Sequence, residues 1–121
     1  MQIHSLYTYN ELRNFTYAIE LENGDCLILD PWDADQVNEF LTASNLKLRT
    51  IINTHEHWDH TRGNEALVKE HGCEVWAHTN GTDKIPELTR TLEAGDKIEL
   101  EPAVQMLVMD TPGHTFAHLC L

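Results

Sequence analysis

The segment Thr54-His55-Glu56-His57-Trp58-Asp59-His60 places four groups able to bind a metal within six residues. Imidazole and carboxylate are the usual donors to a catalytic zinc. His55 and His57 are two positions apart, and just past a strand end that spacing aims both rings at one ion. Asp59 and His60 follow at once, in a turn or early helix, and point at a second ion close by. A single ion that must keep a position for water has no room for all four donors, whereas paired ions a few ångströms apart are a known hydrolytic device. Two competing readings are weaker. The H-E-x-x-H helix of zinc proteases needs a histidine four residues after the first, and residue 59 is Asp. A surface cluster of histidines without metal does not account for the order of the residues or the strand in front of them. Trp58 reads as a packing residue beneath the loop.

A second cluster, Asp110-Thr111-Pro112-Gly113-His114-Thr115, follows an apolar stretch. Pro112-Gly113 predicts a tight turn, which presents His114 at a strand end as His55 is presented. In a chain that already holds the first motif, His114 reads as a further metal ligand.

The elements that must carry these residues are legible from periodicity. Residues 3–9, 15–21 and 26–29 read as three strands in a meander, with Asn23-Gly24 as the hairpin turn and Asp30-Pro31 closing the third. Asp33 is a plausible N-cap for an amphipathic helix to about Ala43, with Val37, Phe40 and Leu41 on one face. Residues 48–53 form a β-branched strand that ends where the histidine motif begins. A second helix opens at Gly63-Asn64 and stops at Gly72. Residues 73–77 read as a strand, 78–90 as loop with a short helical piece, and 97–100 and 104–109 as two further strands around the Gly95-Asp96 turn. Strands first in a meander and then alternating with helices predict an α/β (α+β) layered fold with one mixed sheet.

Composition narrows the setting. The 121 residues suit one domain or part of one, and the apolar share of 41% is ordinary for a globular chain. A net charge of −12 repels phosphate backbones and anionic lipid, so neither nucleic acid nor a membrane surface is the expected partner. The apolar runs, such as 106–109, are too short to span a bilayer. No signal peptide is visible, since Glu11, Arg13 and Asn14 interrupt the N-terminus. Cys26, Cys73 and Cys120 are odd in number and show no Cys-x-x-Cys spacing, which predicts buried thiols and a reducing, cytoplasmic compartment.

The first motif fits the T-H-x-H-x-D-H signature of the metallo-β-lactamase superfamily. Thr111-Pro112-Gly113-His114-Thr115, with His118 four residues after His114, resembles the T-P-G-H-T-x-x-H stretch of its glyoxalase II (hydroxyacylglutathione hydrolase) branch. Asn14-Phe15, Asp30-Pro31 and Arg62-Gly63-Asn64 resemble that branch too, so the likeness covers essentially the whole chain. The resemblance implies a four-layer αββα sandwich built from two similar halves, of which residues 1–121 correspond to the first αβ half, a single C-terminally incomplete domain. It implies a first metal site of His55, His57 and His114, with Asp59 and His60 contributing to a second. The family's bridging Asp and last His both come after the Pro-Gly-His turn; here only His118 follows, and the family treats that residue as structural. The inner sheet face would then lie bare and invite self-association.

The resemblance further implies a zinc enzyme (two ions when whole, with iron or manganese as other possibilities) that cleaves a small thioester, ester or lactone by metal-bound hydroxide, Asp59 orienting the nucleophile. Thr54 and Thr115 are candidates for hydrogen bonds to ligand imidazoles. Two alternatives stand beside this reading: an iron-dependent persulfide dioxygenase, whose two His ligands would match His55 and His114, and a non-catalytic half-domain that only binds metal or a partner.

Overall fold

The computed structural model describes residues 1–121. Its main sheet has six strands in the order β1 (Gln2–Tyr7), β2 (Phe15–Glu20), β3 (Asp25–Leu29), β4 (Lys47–Asn53), β5 (Glu74–His78) and β6 (Arg90–Leu92). The first three pair antiparallel, as the meander predicts, and β3 to β6 pair parallel. Parallel neighbours need crossovers, and helices supply the first two, while a loop with one 3-10 turn (Thr79–Gly81) links β5 to β6. The first is α1 (Ala34–Ser44); between β4 and β5 lie the single turn α2 (Trp58–Thr61) and α3 (Asn64–His71).

Helix boundaries follow the local chemistry. The Asp33 side chain accepts from the Asp35 N–H, which caps α1, and Asn45 ends it at a φ of 54°. Gly72, at a φ of 62°, ends α3 as expected. The hairpin signal also holds: Gly24, between β2 and β3, has a φ of 84°.

Alternation along the strands divides the core in two. Ala18, Cys26, Ile28, Leu48, Ile51, Val75 and Ala77 point to the helices, where they meet Val37, Leu41 and Leu67. Ile19, Leu27 and Ile52 point the other way. The strand Cys26-Leu27-Ile28 is apolar throughout because both of its faces are covered.

Four expectations need correction. The strands near the C-terminus do not join one mixed sheet. β7 (Lys97–Glu101) and β8 (Val104–Leu107) form a separate hairpin, and β9 (Met109–Asp110) pairs only with β10 (Leu119–Cys120). The predicted strand 104–109 breaks at Val108, whose N–H donates to the Asp96 carbonyl and whose carbonyl accepts from Gly95. Consequently the inner face is not bare: Ile98, Met106, Val108 and Leu119 bury it. What remains open is an apolar groove of about 400 Å³ along Ile3, Tyr17, Leu29, Leu107 and Met109. Lastly, the first strand ends at Tyr7, not at residue 9, because Thr8 turns its N–H and hydroxyl to the Asn14 carbonyl.

Burial sets thiol reactivity. Packing, then the nearby Glu20 charge, pushes the Cys26 thiol up to about 12, and burial raises that of Cys73. Thiolate is the reactive form. Alkylation of the folded chain at mildly alkaline pH is expected to modify Cys120 first and spare Cys26 and Cys73 until denaturant is added; peptide mass spectrometry reads the order.

Candidate metal centre

The predicted ligands come from two strand ends. His55 lies just past β4, His57 is the N-cap residue of α2, and Asp59 and His60 lie within that turn. His114 sits in the loop between β9 and β10. This loop is tied to the main sheet by Leu119 N–H to the Thr54 carbonyl at 2.9 Å and by Asn80 Nδ2 to the Phe116 carbonyl at 3.3 Å. Asp110, at its entry, pairs with the buried His78 at 2.9 Å.

One ligand atom each from His55, His57 and His114 lie within 4.8 Å of one another, and these are the only three His, Cys, Asp or Glu side chains that converge so closely. Ring centroids are 4.8 Å apart for His55 and His57, and 4.5 Å for His57 and His114. His118 lies outside the trio, braced by the Thr111 hydroxyl at 2.7 Å.

The hydrogen bonds determine which nitrogen of His55 is free. Asp30 is buried, and its carboxylate only accepts. It takes the Thr54 N–H at 2.7 Å and the Thr54 hydroxyl at 2.6 Å. That hydroxyl has spent its proton, so at 3.0 Å it accepts from His55 Nδ1–H. The lone pair of His55 therefore sits on Nε2, which is buried and has no hydrogen-bond partner. An orphaned buried acceptor costs on the order of 1–3 kcal/mol, and a cation held by three imidazoles removes that cost. The donor set fits zinc.

Burial, then the charge of His60, pushes the His55 imidazole down to about 4, so the folded ring is neutral at pH 7. The unfolded ring takes its proton near the ordinary value of about 6.5. The unfolded state thus binds more protons between these values, and the metal-free fold should lose stability as pH falls from about 6.5 to about 4. Urea midpoints of chelator-treated protein should drop across this window, less steeply in His55→Ala; equal slopes would contradict the assignment.

Asp59 and His60 stand together but complete no second trio. His60 Nδ1 donates to Asp30 Oδ2 at 3.0 Å, which leaves the Nε2 lone pair facing Asp59 Oδ2 at 3.2 Å. Two acceptors so close call for a proton or a cation between them. Burial would lower the His60 pKa, yet the Asp30 hydrogen bond and charge outweigh it and raise it. For Asp59 burial also disfavours charge, but the Asn14 hydrogen bond at 2.6 Å and the neighbouring His60 keep its carboxyl below the usual range.

Asp30 and Asn14, which bond to Thr54, His60 and Asp59, are positions that periodicity and spacing did not expose. One signal was available for Asp30: an acidic residue that directly closes an all-apolar strand is buried and needs partners. Thr54 makes the expected bond to a ligand ring, whereas Thr115 does not; its hydroxyl lies by the Glu56 carboxylate. Trp58 is not beneath the loop. It is 64% exposed, because the single turn of α2 directs Asp59, His60 and Thr61 inward.

A mixed sheet packed against helices, with imidazoles converging past its strand ends, defines an αβ layer with a candidate metal site. The family model of the metallo-beta-lactamase superfamily matches residues 9–121, and the chain belongs to that superfamily. Proteins named hydroxyacylglutathione hydrolase are similar over its whole length: 42% identical in Nitrosococcus oceani and 36% in Polaromonas sp., each alignment covering 100% of this chain and 46% of the relative. The chain thus spans about half the length of the curated relatives it matches. Among solved structures, ETHE1 from Myxococcus xanthus superposes with a TM-score of 0.80 at 26% identity, over 98% of this chain and 52% of that one. The B3 metallo-beta-lactamase BLEG-1 gives a TM-score of 0.80 at 19% identity, over 98% and 65%, a likeness of fold alone.

Proposed function

We propose that this chain supplies the metal-binding half of a zinc-dependent hydrolase that cleaves a thioester, ester or lactone, with a hydroxyacyl thioester of glutathione as first candidate. The observation that carries this reading is His55 Nε2, buried and unpartnered beside the His57 and His114 rings. The substrate class comes from the names of the relatives. No helix of the chain is long and apolar enough to cross a membrane.

His55, His57 and His114 would hold the first ion, and Asp59 and His60 would contribute to a second. A divalent cation there supplies Lewis acidity and brings the pKa of water toward neutrality. The protein's own part is orientation. Asp30 and Thr54 fix the ring and tautomer of His55, and Asp30 does the same for His60. Asn14 occupies Asp59 Oδ2, so Oδ1 is the oxygen left to accept a hydrogen bond from the attacking water. With its pKa held down, Asp59 orients that water without keeping its proton.

The test is hydrolysis of a hydroxyacyl thioester of glutathione by the zinc-loaded protein at its full natural length. Chelator-sensitive cleavage is expected. An intact thioester, with oxygen uptake by protein carrying one iron per chain, would overturn the reading in favour of an oxygenase.

A further inference from the structure

His55 and His57 follow the end of β4, in the main sheet, whereas His114 lies between β9 and β10, which pair only with each other. Backbone pairing within one sheet therefore does not set the third imidazole against the first two. The loop keeps its own shape, since the Thr111 N–H donates to the His118 carbonyl and the Gly113 N–H to the Thr115 carbonyl, each at 3.1 Å. Its placement on the main sheet rests on the buried Ala117 and Leu119 and on hydrogen bonds at Leu119, Phe116 and Asp110. The last two are made by His78, which ends β5, and by Asn80, in the turn that follows.

His78 is 4% exposed, and its partners fix its tautomer. The Asn80 N–H donates to Nδ1 at 3.0 Å. A backbone N–H only donates, so Nδ1 carries the lone pair and the ring proton sits on Nε2. Nε2–H donates to Asp110 Oδ1 at 2.9 Å, a bond that the carboxylate charge strengthens. The Nδ1 bond caps the turn Thr79–Gly81. Ser, Thr, Asp or Asn is the usual cap. The imidazole adds something those shorter side chains lack: it accepts at one edge and donates at the other, across the width of a ring. Beside it, Asn80 Nδ2 donates to the Phe116 carbonyl at 3.3 Å. Gly81 lies so close to the loop that a Cβ there would meet that of Ala117 at 3.5 Å. The turn thus grips the loop at Asp110, before His114, and at Phe116 and Ala117, after it.

We propose that this turn positions His114 for the metal, with His78 and Asp110 as positioning residues. Neither is a ligand. They hold the third imidazole beside the first two before a cation arrives, so less ordering remains to be done on binding. The proposal rests on the three-histidine site of the hydrolase reading and adds what pre-organises it.

Competition with a chromophoric chelator for zinc, on the full-length protein, is the experiment. Asp110→Ala removes the acceptor from a side chain that is 46% exposed, so it opens no core cavity. It should weaken zinc binding about tenfold, the low end for partners that orient ligands. Asp110→Asn drops the charge but keeps an oxygen for His78 Nε2–H, and should restore most of the affinity. In a chain that already carries His114→Ala, Asp110→Ala should cost no further affinity, because the residue it positions is gone. A purely Coulombic pull of Asp110 on the cation would instead persist in that background and be lost in Asp110→Asn. If Asp110→Ala does not fold, Asn80→Ala, at an exposed position, takes its place with the same expectations in the two backgrounds. Unchanged affinity in Asp110→Ala, an equal loss with and without His114, or Asp110→Asn as weak as Asp110→Ala overturns the proposal and leaves the hydrolase reading intact. Wild-type protein that takes up no zinc overturns the hydrolase reading and this proposal together.

Discussion

Replacing Asp30 with Asn will weaken zinc binding by roughly 10- to 100-fold. Asn tolerates the left-handed backbone found here, a φ of 53°, so the effect reports on the side chain. The carboxylate accepts the Thr54 N–H at one oxygen and both the Thr54 hydroxyl and His60 Nδ1 at the other. An amide offers one acceptor oxygen, so at least one buried donor loses its partner, which costs about 1–3 kcal/mol. The larger consequence is for His55. Released from Asp30, the Thr54 hydroxyl can donate to His55 Nδ1, which moves the ring proton to Nε2 and removes the lone pair from the site. Competition with a chromophoric chelator measures the affinity. Asp25→Asn is the control, since that carboxylate pairs with Arg49 near the opposite end of the strands. Equal affinity in Asp30→Asn and the wild type would refute the relay.

Gly63→Ala should cost about 1–3 kcal/mol of stability and lower zinc affinity with it. The Gly63 backbone, at φ −79° and ψ −11°, suits any residue, so the penalty is steric. A Cβ there would sit 2.9 Å from the Pro31 carbonyl oxygen and 3.0 Å from its Cβ. Gly63 N–H already donates to that oxygen at 2.8 Å, so the neighbour that must give way is backbone. Pro31 follows Asp30, and its displacement moves the relay. Gly24→Ala is the contrast. It meets nothing within 4 Å but carries a positive φ of 84°, so it should cost about 1–2 kcal/mol and leave metal affinity alone. Urea unfolding and chelator competition on both variants separate the two effects.

The meander, α1, α3 and the strand before the histidine motif were legible because each combines a period with a local start or stop, as at Gly24, Asp33 and Gly72. β6 was not, since three residues, Arg90–Leu92, are too few to show a period. The strand break at Val108 depends on a turn that accepts its backbone hydrogen bonds, which periodicity does not encode. At the site, the ligand residues announced themselves by spacing. Of the residues that orient them, Thr54 was legible from its place beside His55, but Asp30 and Asn14 were not, because Asp30 acts on Thr54 and His60 across 24 and 30 positions, and Asn14 on Asp59 across 45. Trp58 was misplaced for a related reason: one helical turn gives no second residue by which to judge its face.

On the proposed reading, His55, His57 and His114 hold one divalent cation together. Zinc titration of the metal-free chain, followed by calorimetry for wild type, His57→Ala and His114→Ala, tests it most directly. At least one tightly held zinc per wild-type chain is expected, with a loss of affinity on the order of 100-fold or more in either variant, since each removes a ligand from a three-imidazole set. Wild-type protein that takes up no zinc, or variants that bind it as tightly as wild type does, would rule out a shared three-histidine site.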